Sequence, residues 1–374
     1  MKPRSPDSYR ECAIMFARTC NIACRHCGIE SSPQNKDKMR IEDARRFIVE
    51  AATVPHFRKF TFTGGEPFLF QDELAEMLSL CNGLGLFTRA VTNGFWAKTR
   101  AKGMRVLSRM HKAGLNELNF SADKYHLEFL EPHILRNALD CARELDYTRI
   151  VSFVTNSDEP PLDDFSRMYG IPRDQLEDLR PLMDDLSVVE EMKRDKIFIF
   201  TGGLIGLGRA AEHPNELRYF PVGFFPTSQA CGEVVNKPVI YPNGDFQACC
   251  CAGGKIKTFT VGNLHEEGLA SLYEKMIARS QYQLINTYGP KELYKIIAKA
   301  RPDLPRKGSY TSICEMCVRA TDGLSPEEVD EIVDNALLER TLLAFGATTC
   351  SDEPDDTIII SNPTRGRREL PVLN

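Results

Sequence analysis

Between Glu11 and about Ala211 the chain alternates short apolar runs with longer stretches of helical period, and this alternation constrains its fold more than any other feature. "CAIMFAR" (12–18) reads as a strand. "RIEDARRFIVEAA" (40–52) reads as an amphipathic helix with Ile41, Ala44, Phe47, Ile48 and Ala51 on one side. "KFTFTGGEP", "FTRAVTNG", "LNELNFSAD", "RIVSFVTN" and "KIFIFTGGLIGLGRA" continue the strands. Between them lie "DELAEMLSLCNGLG", "AKGMRVLSRMHKAG", "HILRNALDCARELD" and a longer helical region to about Arg194. Six steps of this kind, the sixth strand ending on a loop in place of a helix, specify a parallel sheet with helices outside it. Functional side chains of such a sheet gather at the C-terminal ends of the strands.

The pattern breaks at 211–230, "AEHPNELRYFPVGFFPTSQA", which holds prolines and no clear period. Beyond it, "PVIYPNGDFQACC" reads as a hairpin turning at Asn243-Gly244. A helical stretch near 265–300 follows. Ser325-Pro326-Glu327-Glu328 has the form of a capping box, opening a helix that Gly346 is expected to stop. The polar tail carries one β-branched run, Ile358–Ile360. The net charge of -5 gives no basic footprint for nucleic acid. No apolar run reaches membrane-spanning length and no signal peptide precedes Cys12, so neither nucleic acid nor a membrane is an expected partner.

Thirteen cysteines are many for the cytoplasm, the expected compartment, where disulfides are rarely stable. Cys12, Cys81 and Cys141 lie in apolar or helical stretches and read as packing residues. Eight of the others cluster as Cys20/Cys24/Cys27, Cys249/Cys250/Cys251 and Cys314/Cys317, which reads as metal ligation. Three thiols in one short run leave a metal position open, or take a distant fourth ligand. Zinc and iron–sulfur readings both stand on spacing alone.

The position of these motifs narrows the choice. Cys20-x3-Cys24-x2-Cys27 follows the first expected strand, and "TGGEP" (63–67) follows the second. Together with "VTNG" (91–94), "NFSAD" (119–123) and "GLGRA" (207–211), the first 210 residues resemble the radical S-adenosylmethionine (radical SAM) superfamily. The resemblance implies a partial (β/α)6 TIM barrel. It implies a [4Fe–4S] cluster on Cys20, Cys24 and Cys27, with S-adenosylmethionine on the fourth iron and cleaved to a 5′-deoxyadenosyl radical. Gly64, Gly65, Glu66 and Pro67 would border the cofactor, with Glu66 accepting from its methionine amino group. Asn93, Ser121 and Asn156 would contact it from strand ends, and Arg209 would close the sixth strand. Asp123, Tyr125 and His126 fall where they could line a substrate cavity.

Cys231, Cys249, Cys314 and Cys317 resemble the ligand set of a SPASM or twitch auxiliary-cluster domain, a small α+β module. Only Cys350 remains downstream, so the resemblance implies one auxiliary [4Fe–4S] cluster; structural zinc is the competing reading. On a strand Cys249 and Cys251 share a face and Cys250 points away, which leaves the ligand among them open. Cys250 is the candidate thiol for returning a hydrogen atom to a substrate radical.

The expected organisation is a barrel over 1–211, an auxiliary-cluster domain over 212–324, and a C-terminal helix and tail over 325–374. Radical enzymes with auxiliary clusters frequently modify peptides, so the resemblance implies a peptide maturase acting by crosslinking, oxidation or epimerisation. The alternative is a dehydrogenase or epimerase of a small molecule; a third reading is a non-enzymatic metal-binding or redox-sensing protein. Partners so implied are a peptide or small-molecule substrate and a flavodoxin- or ferredoxin-type electron donor. Eleven residues before Cys12 leave no room for a leader-binding module, so either a separate recognition protein for the leader peptide or direct binding of a short peptide is expected.

Overall fold

The computed structural model describes residues 10–54, 56–182, 196–226, 230–250, 254 and 256–349. β1 (Arg10–Ala17) is buried along nearly its whole length, as a strand covered on both faces must be. α1 (Ile41–Thr53) buries Ala44, Phe47, Ile48 and Ala51, the stripe its spacing predicts. The alternation continues through β2 (Phe57–Gly64), α2 (Gln71–Gly83), β3 (Phe87–Thr92), α3 (Arg100–Lys112), β4 (Glu117–Ser121), α4 (Pro132–Glu144), β5 (Arg149–Val154) and α5 (Pro161–Tyr169). Cys12, Cys81 and Cys141 are wholly buried, as packing thiols should be.

Within the region expected to be helical as far as Arg194, α5 ends at Tyr169. Gly170 takes the left-handed conformation (φ +61) that terminates a helix, and Pro172 follows. A short strand unforeseen in the sequence, β6 (Leu176–Asp178), then pairs with β7 (Ile197–Gly202) at the sheet edge. Residues 183–195 lie outside the described ones.

The texture change at 211 does not interrupt the sheet. After the two-residue β8 (Phe220–Pro221) come β9 (Val239–Ile240), β10 (Asp245–Gln247) and β11 (Thr260–Asn263). β9 pairs in parallel with β1, Ala13 opposite Val239, and β9 and β10 form the expected hairpin with Gly244 at φ +85. The result is a ten-stranded sheet in the order β11-β10-β9-β1-β2-β3-β4-β5-β7-β6, antiparallel only at the β9-β10-β11 end. The helices α6 (Leu269–Ala278), α7 (Ser280–Tyr288) and α8 (Pro290–Ala300) lead to β12 (Ser309–Tyr310), which pairs with β8, and to α9 (Ile313–Ala320).

α10 (Pro326–Thr349) opens on the expected capping box: Ser325 N–H donates to Glu328 at 2.7 Å, and Glu328 N–H to the Ser325 hydroxyl at 3.1 Å. It passes through Gly346, where a stop was expected; one internal glycine costs a helix only about 1 kcal/mol. Residues through Asp334 form one compact unit. A second begins at Asn335, and its described part exposes Leu338, Leu342 and Leu343. Among the described residues no helix is long and apolar enough to cross a membrane.

Alternation along the strands gives the sheet an apolar face under the helices (Phe60, Phe62, Ala90, Leu118) and a polar opposite face. Near the N-terminal strand ends that face carries a charge ladder. Arg89 pairs with Glu11 at 3.0 Å and with Glu117, which also takes Lys59 at 2.7 Å; Thr61 donates to Glu11. Burial alone would raise the Glu117 carboxyl, but Arg89 and Lys59 outweigh it and hold the group below its ordinary value. Arg89→Met would leave Glu11 facing the interior without its cation, and should cost about 3 kcal/mol in urea unfolding. The C-terminal ends of the same strands, where the charges give way to smaller side chains, hold the cavity.

Candidate active site

The loop after β1 is tied down before it reaches its first cysteine. Gly65 N–H donates to Ala17 O at 2.7 Å and Glu66 N–H to Thr19 O at 3.0 Å, so the end of β2 lies flat against the loop. A Cβ on Gly64 would stand 2.1 Å from Ala17 O, and one on Gly65 2.0 Å from Thr19 O. The glycine pair is thus needed for backbone-to-backbone contact under the cysteine loop, while both residues also border the cavity.

Cys20 and Cys24, both buried, pack with Ile22, Tyr125, Leu204 and Ala210, and Cys27 lies against the same cluster. Burial pushes the Cys20 thiol up to about 12, so metal binding must displace its proton. Arg209 clamps the loop from outside: Nε donates to Cys24 O at 2.9 Å, a second guanidinium nitrogen to Ser31 O at 2.7 Å, and its backbone N–H to Cys27 O at 3.2 Å. Arg209→Ala should cost about 2 kcal/mol in unfolding of the iron-free protein and speed iron loss to a chelator. Arg209→Lys should restore little, because an ammonium cannot span two carbonyls as the planar fork does.

The three thiols, Gly64, Gly65, Asn93, Ser121, His126 and Arg209 all border one cavity of about 310 Å³. Asn93 donates its amide to Asn21 at 3.0 Å and toward Cys20 Sγ at 3.8 Å. Glu66 stands behind this wall, 1% exposed, and does not line the cavity. It accepts from Asn93 N–H at 2.8 Å, the Thr92 hydroxyl at 2.8 Å and Phe68 N–H at 3.1 Å. Burial pushes its carboxyl up to about 7 against those three donors. Pro67, buried, opens the 3-10 turn after it. Asn156 is likewise turned to structure, donating to Glu216 O at 2.7 Å and accepting from Leu204 N–H at 3.2 Å.

Asp123 and Tyr125 are buried behind the cavity, and His126 is on its wall. Burial would lower His126 and raise Asp123. Their pairing outweighs it, pushing His126 well above its ordinary value and, with His26, holding Asp123 far below its own. Among the lining residues that escaped the sequence reading are two polar ones, His26, between Cys24 and Cys27, and Ser31. His26 Nδ1 and Ser31 Oγ are buried and, among the described residues, lack a hydrogen-bond partner. Polar atoms left open in a cavity wall beside three thiols suit a polar ligand there, so the residues present fit a cluster with a bound cofactor.

Of the second cysteine group, Cys249 and Cys317 are buried, Cys231 and Cys314 half-buried, and Cys231 feels the charge of Cys314. Buried Gln247 holds the adjoining loop, donating to Cys249 O at 2.7 Å and accepting from Ile256 N–H at 2.6 Å. Cys250 is exposed and does not border the cavity; Cys251, Cys350 and Ile358–Ile360 lie outside the described residues. A tetrahedral zinc would hold sulfurs roughly 3.8 Å apart, from bonds of about 2.3 Å. Among the described residues only His26, Asp123 and His126 bring three candidate ligand atoms within 4.8 Å of one another.

A largely parallel sheet with three loop thiols over one end, beside a strand-end cavity, defines an α/β enzyme with its chemistry at the C-terminal strand edge. Residues 14–186 match the model of the Radical SAM superfamily, so this part of the chain is that of a radical SAM enzyme. Membership implies a [4Fe–4S] cluster and S-adenosylmethionine. The chain is 30% identical over 132 residues to YydG of Bacillus subtilis (strain 168), whose name proposes a part in peptide biosynthesis; the match covers 35% of this chain and 41% of YydG. It thus spans about two fifths of that relative. Among solved structures, BtrN in complex with AdoMet and 2-DOIA is 11% identical with a TM-score of 0.41, covering 75% of this chain and 88% of that one. Streptococcus suis SuiB bound to precursor peptide SuiA is 16% identical with a TM-score of 0.40, covering 82% and 76%.

Proposed function

We propose that this enzyme modifies a ribosomally made peptide by crosslinking, oxidation or epimerisation, with Cys231, Cys249, Cys314 and Cys317 holding one auxiliary [4Fe–4S] cluster. The observation that carries the reading is a second, larger cleft of about 570 Å³ adjoining the cavity. It shares Gly28 and Ile29 with the cavity wall and is also lined by Arg18, Glu30, Asp37, Lys38 and, from the hairpin, Asn243. A polar, charge-lined groove leading to a small cavity suits an extended chain that offers one residue for reaction. A small-molecule enzyme would rather enclose its substrate. The peptide-biosynthesis relative supports the same choice.

In this reading Cys20, Cys24 and Cys27 ligate the cluster, which with S-adenosylmethionine supplies a radical able to abstract hydrogen when both are bound. Asn93 and Ser121 offer polar contacts on the cavity wall, and Glu66 acts through Asn93 by holding its backbone. Ile22, Val154 and Leu204 add apolar surface to that wall. Cys250, exposed outside the cavity, could return a hydrogen atom only to a substrate that reaches it.

The test is anaerobic incubation of the iron-loaded enzyme with S-adenosylmethionine, a flavodoxin or dithionite, and the short peptides encoded beside its gene. Expected is a peptide lighter by two hydrogens, or one that takes up a single solvent deuterium. Uptake that disappears in Cys250→Ser would assign the donor. Turnover with a sugar or amine and with no peptide would establish the small-molecule alternative instead.

A further inference from the structure

Asp123, 1% exposed just past β4, gathers more of the cavity's surroundings than any other carboxylate near it. Its Oδ1 accepts from the backbone N–H of Tyr125 at 2.9 Å and of His126 at 3.1 Å, and lies 2.9 Å from Nδ1 of His126. Oδ2 lies 3.2 Å from Nε2 of His26, which belongs to the cysteine loop. The His26 ring stacks on Tyr125 with centroids 4.7 Å apart and planes at 22°, and meets His126 edge-on at 5.2 Å. The Tyr169 hydroxyl of α5 donates to the Asp123 carbonyl at 3.2 Å. The Asp123 carboxylate thereby joins the cysteine loop to the end of β4, and its backbone carbonyl adds α5, on a different set of contacts from those of Arg209.

We propose that Asp123 is a positioning residue for the first cluster, acting through His26 to hold the Cys24–Cys27 segment at its ligand spacing before iron arrives. The inference rests on the reading that these thiols bind a cluster. Both oxygens of a buried carboxylate need donors, and the two imidazoles supply them. The same bonds fix both rings: His26 cannot swing without uncovering Asp123, and it carries its neighbours Cys24 and Cys27 with it. Outer-shell partners of this kind typically change metal affinity by about 10–100-fold when removed.

The experiment compares wild type, Asp123→Asn and His26→Ala, each iron-loaded and exposed to a chelator. The reduced cluster whose EPR signal shifts on adding S-adenosylmethionine marks the first site, and an unshifted signal marks the second. Both variants should release iron from the first site at least about tenfold faster, with an altered line shape and no change at the second. The double variant should add little to either single one, since both act through one contact. His26→Ala leaves the Asp123–His126 pair in place, so it reports even if Asp123→Asn folds poorly. Unchanged release from the first site, or equal acceleration at both, would overturn the proposal. So would one cobalt ion held by a Cys20/Cys24/Cys27→Ala protein and lost with Asp123→Asn, which would make the trio a metal site. A wild type with no S-adenosylmethionine-responsive signal at all would instead bring down the cluster reading beneath it.

Discussion

Gly65→Ala should destabilise the protein by about 3 kcal/mol and strip iron from the first cysteine loop while sparing the second group. The added methyl would sit 2.0 Å from Thr19 O and 2.4 Å from Thr19 C, and neither partner is a flexible side chain end. Thr19 cannot retreat cheaply: its carbonyl accepts from Glu66 N–H, and the next residue, Cys20, donates to Ser32 O at 3.1 Å to close the loop. Overpacking typically costs 1–3 kcal/mol, and a clash between two fixed backbones belongs at the upper end. Urea unfolding of the iron-free protein with iron analysis of the loaded one reads both effects. An alanine variant of normal stability and iron content that no longer binds S-adenosylmethionine would show that the glycine serves ligand approach instead.

Glu66→Ala should cost about 4 kcal/mol at pH 6, because Asn93 N–H, Phe68 N–H and the Thr92 hydroxyl would lose their acceptor inside the core. The cost should shrink toward pH 8. Burial raises the Glu66 carboxyl from its ordinary 4.5 to about 7, so the folded state keeps a proton that the unfolded state releases. The wild-type contribution is therefore complete below about 4.5, declines as pH rises, and is lost above about 7. The shift corresponds to on the order of 3 kcal/mol across that window. Denaturation of the iron-free wild type and variant at pH 5, 6, 7 and 8 checks it; a difference independent of pH would mean that the carboxylate is ionised throughout.

How far the sequence could be read depends on whether a feature is local. The strand-to-helix alternation, the α1 stripe and the Ser325–Glu328 capping box depend on neighbours in sequence, and all appear where expected. The convergence of Cys20, Cys24, Cys27, Gly64, Gly65, Asn93, Ser121 and Arg209 on one cavity follows from parallel strands that end on one side. What escaped are choices of partner across long separations. Nothing near Glu66 reveals that Thr92 and Asn93 occupy its oxygens, or near Asn156 that Glu216 takes its amide. The composition shift after 211 is real, yet β9 pairs with β1 through two residues, too short a signal to read. β6 is three residues long and set after a helix stop, so periodicity passes over it. His26 could have been noticed, since it lies inside the cysteine spacing and is the one aromatic ring there.

What the thiols hold decides the chemistry. Iron and sulfide should be counted after anaerobic reconstitution of the wild type and of Cys20/Cys24/Cys27→Ala, with 5′-deoxyadenosine measured after adding S-adenosylmethionine and dithionite. About eight irons should fall to about four in the variant, and deoxyadenosine should vanish. Zinc in place of iron, or deoxyadenosine that persists without the three cysteines, would contradict it.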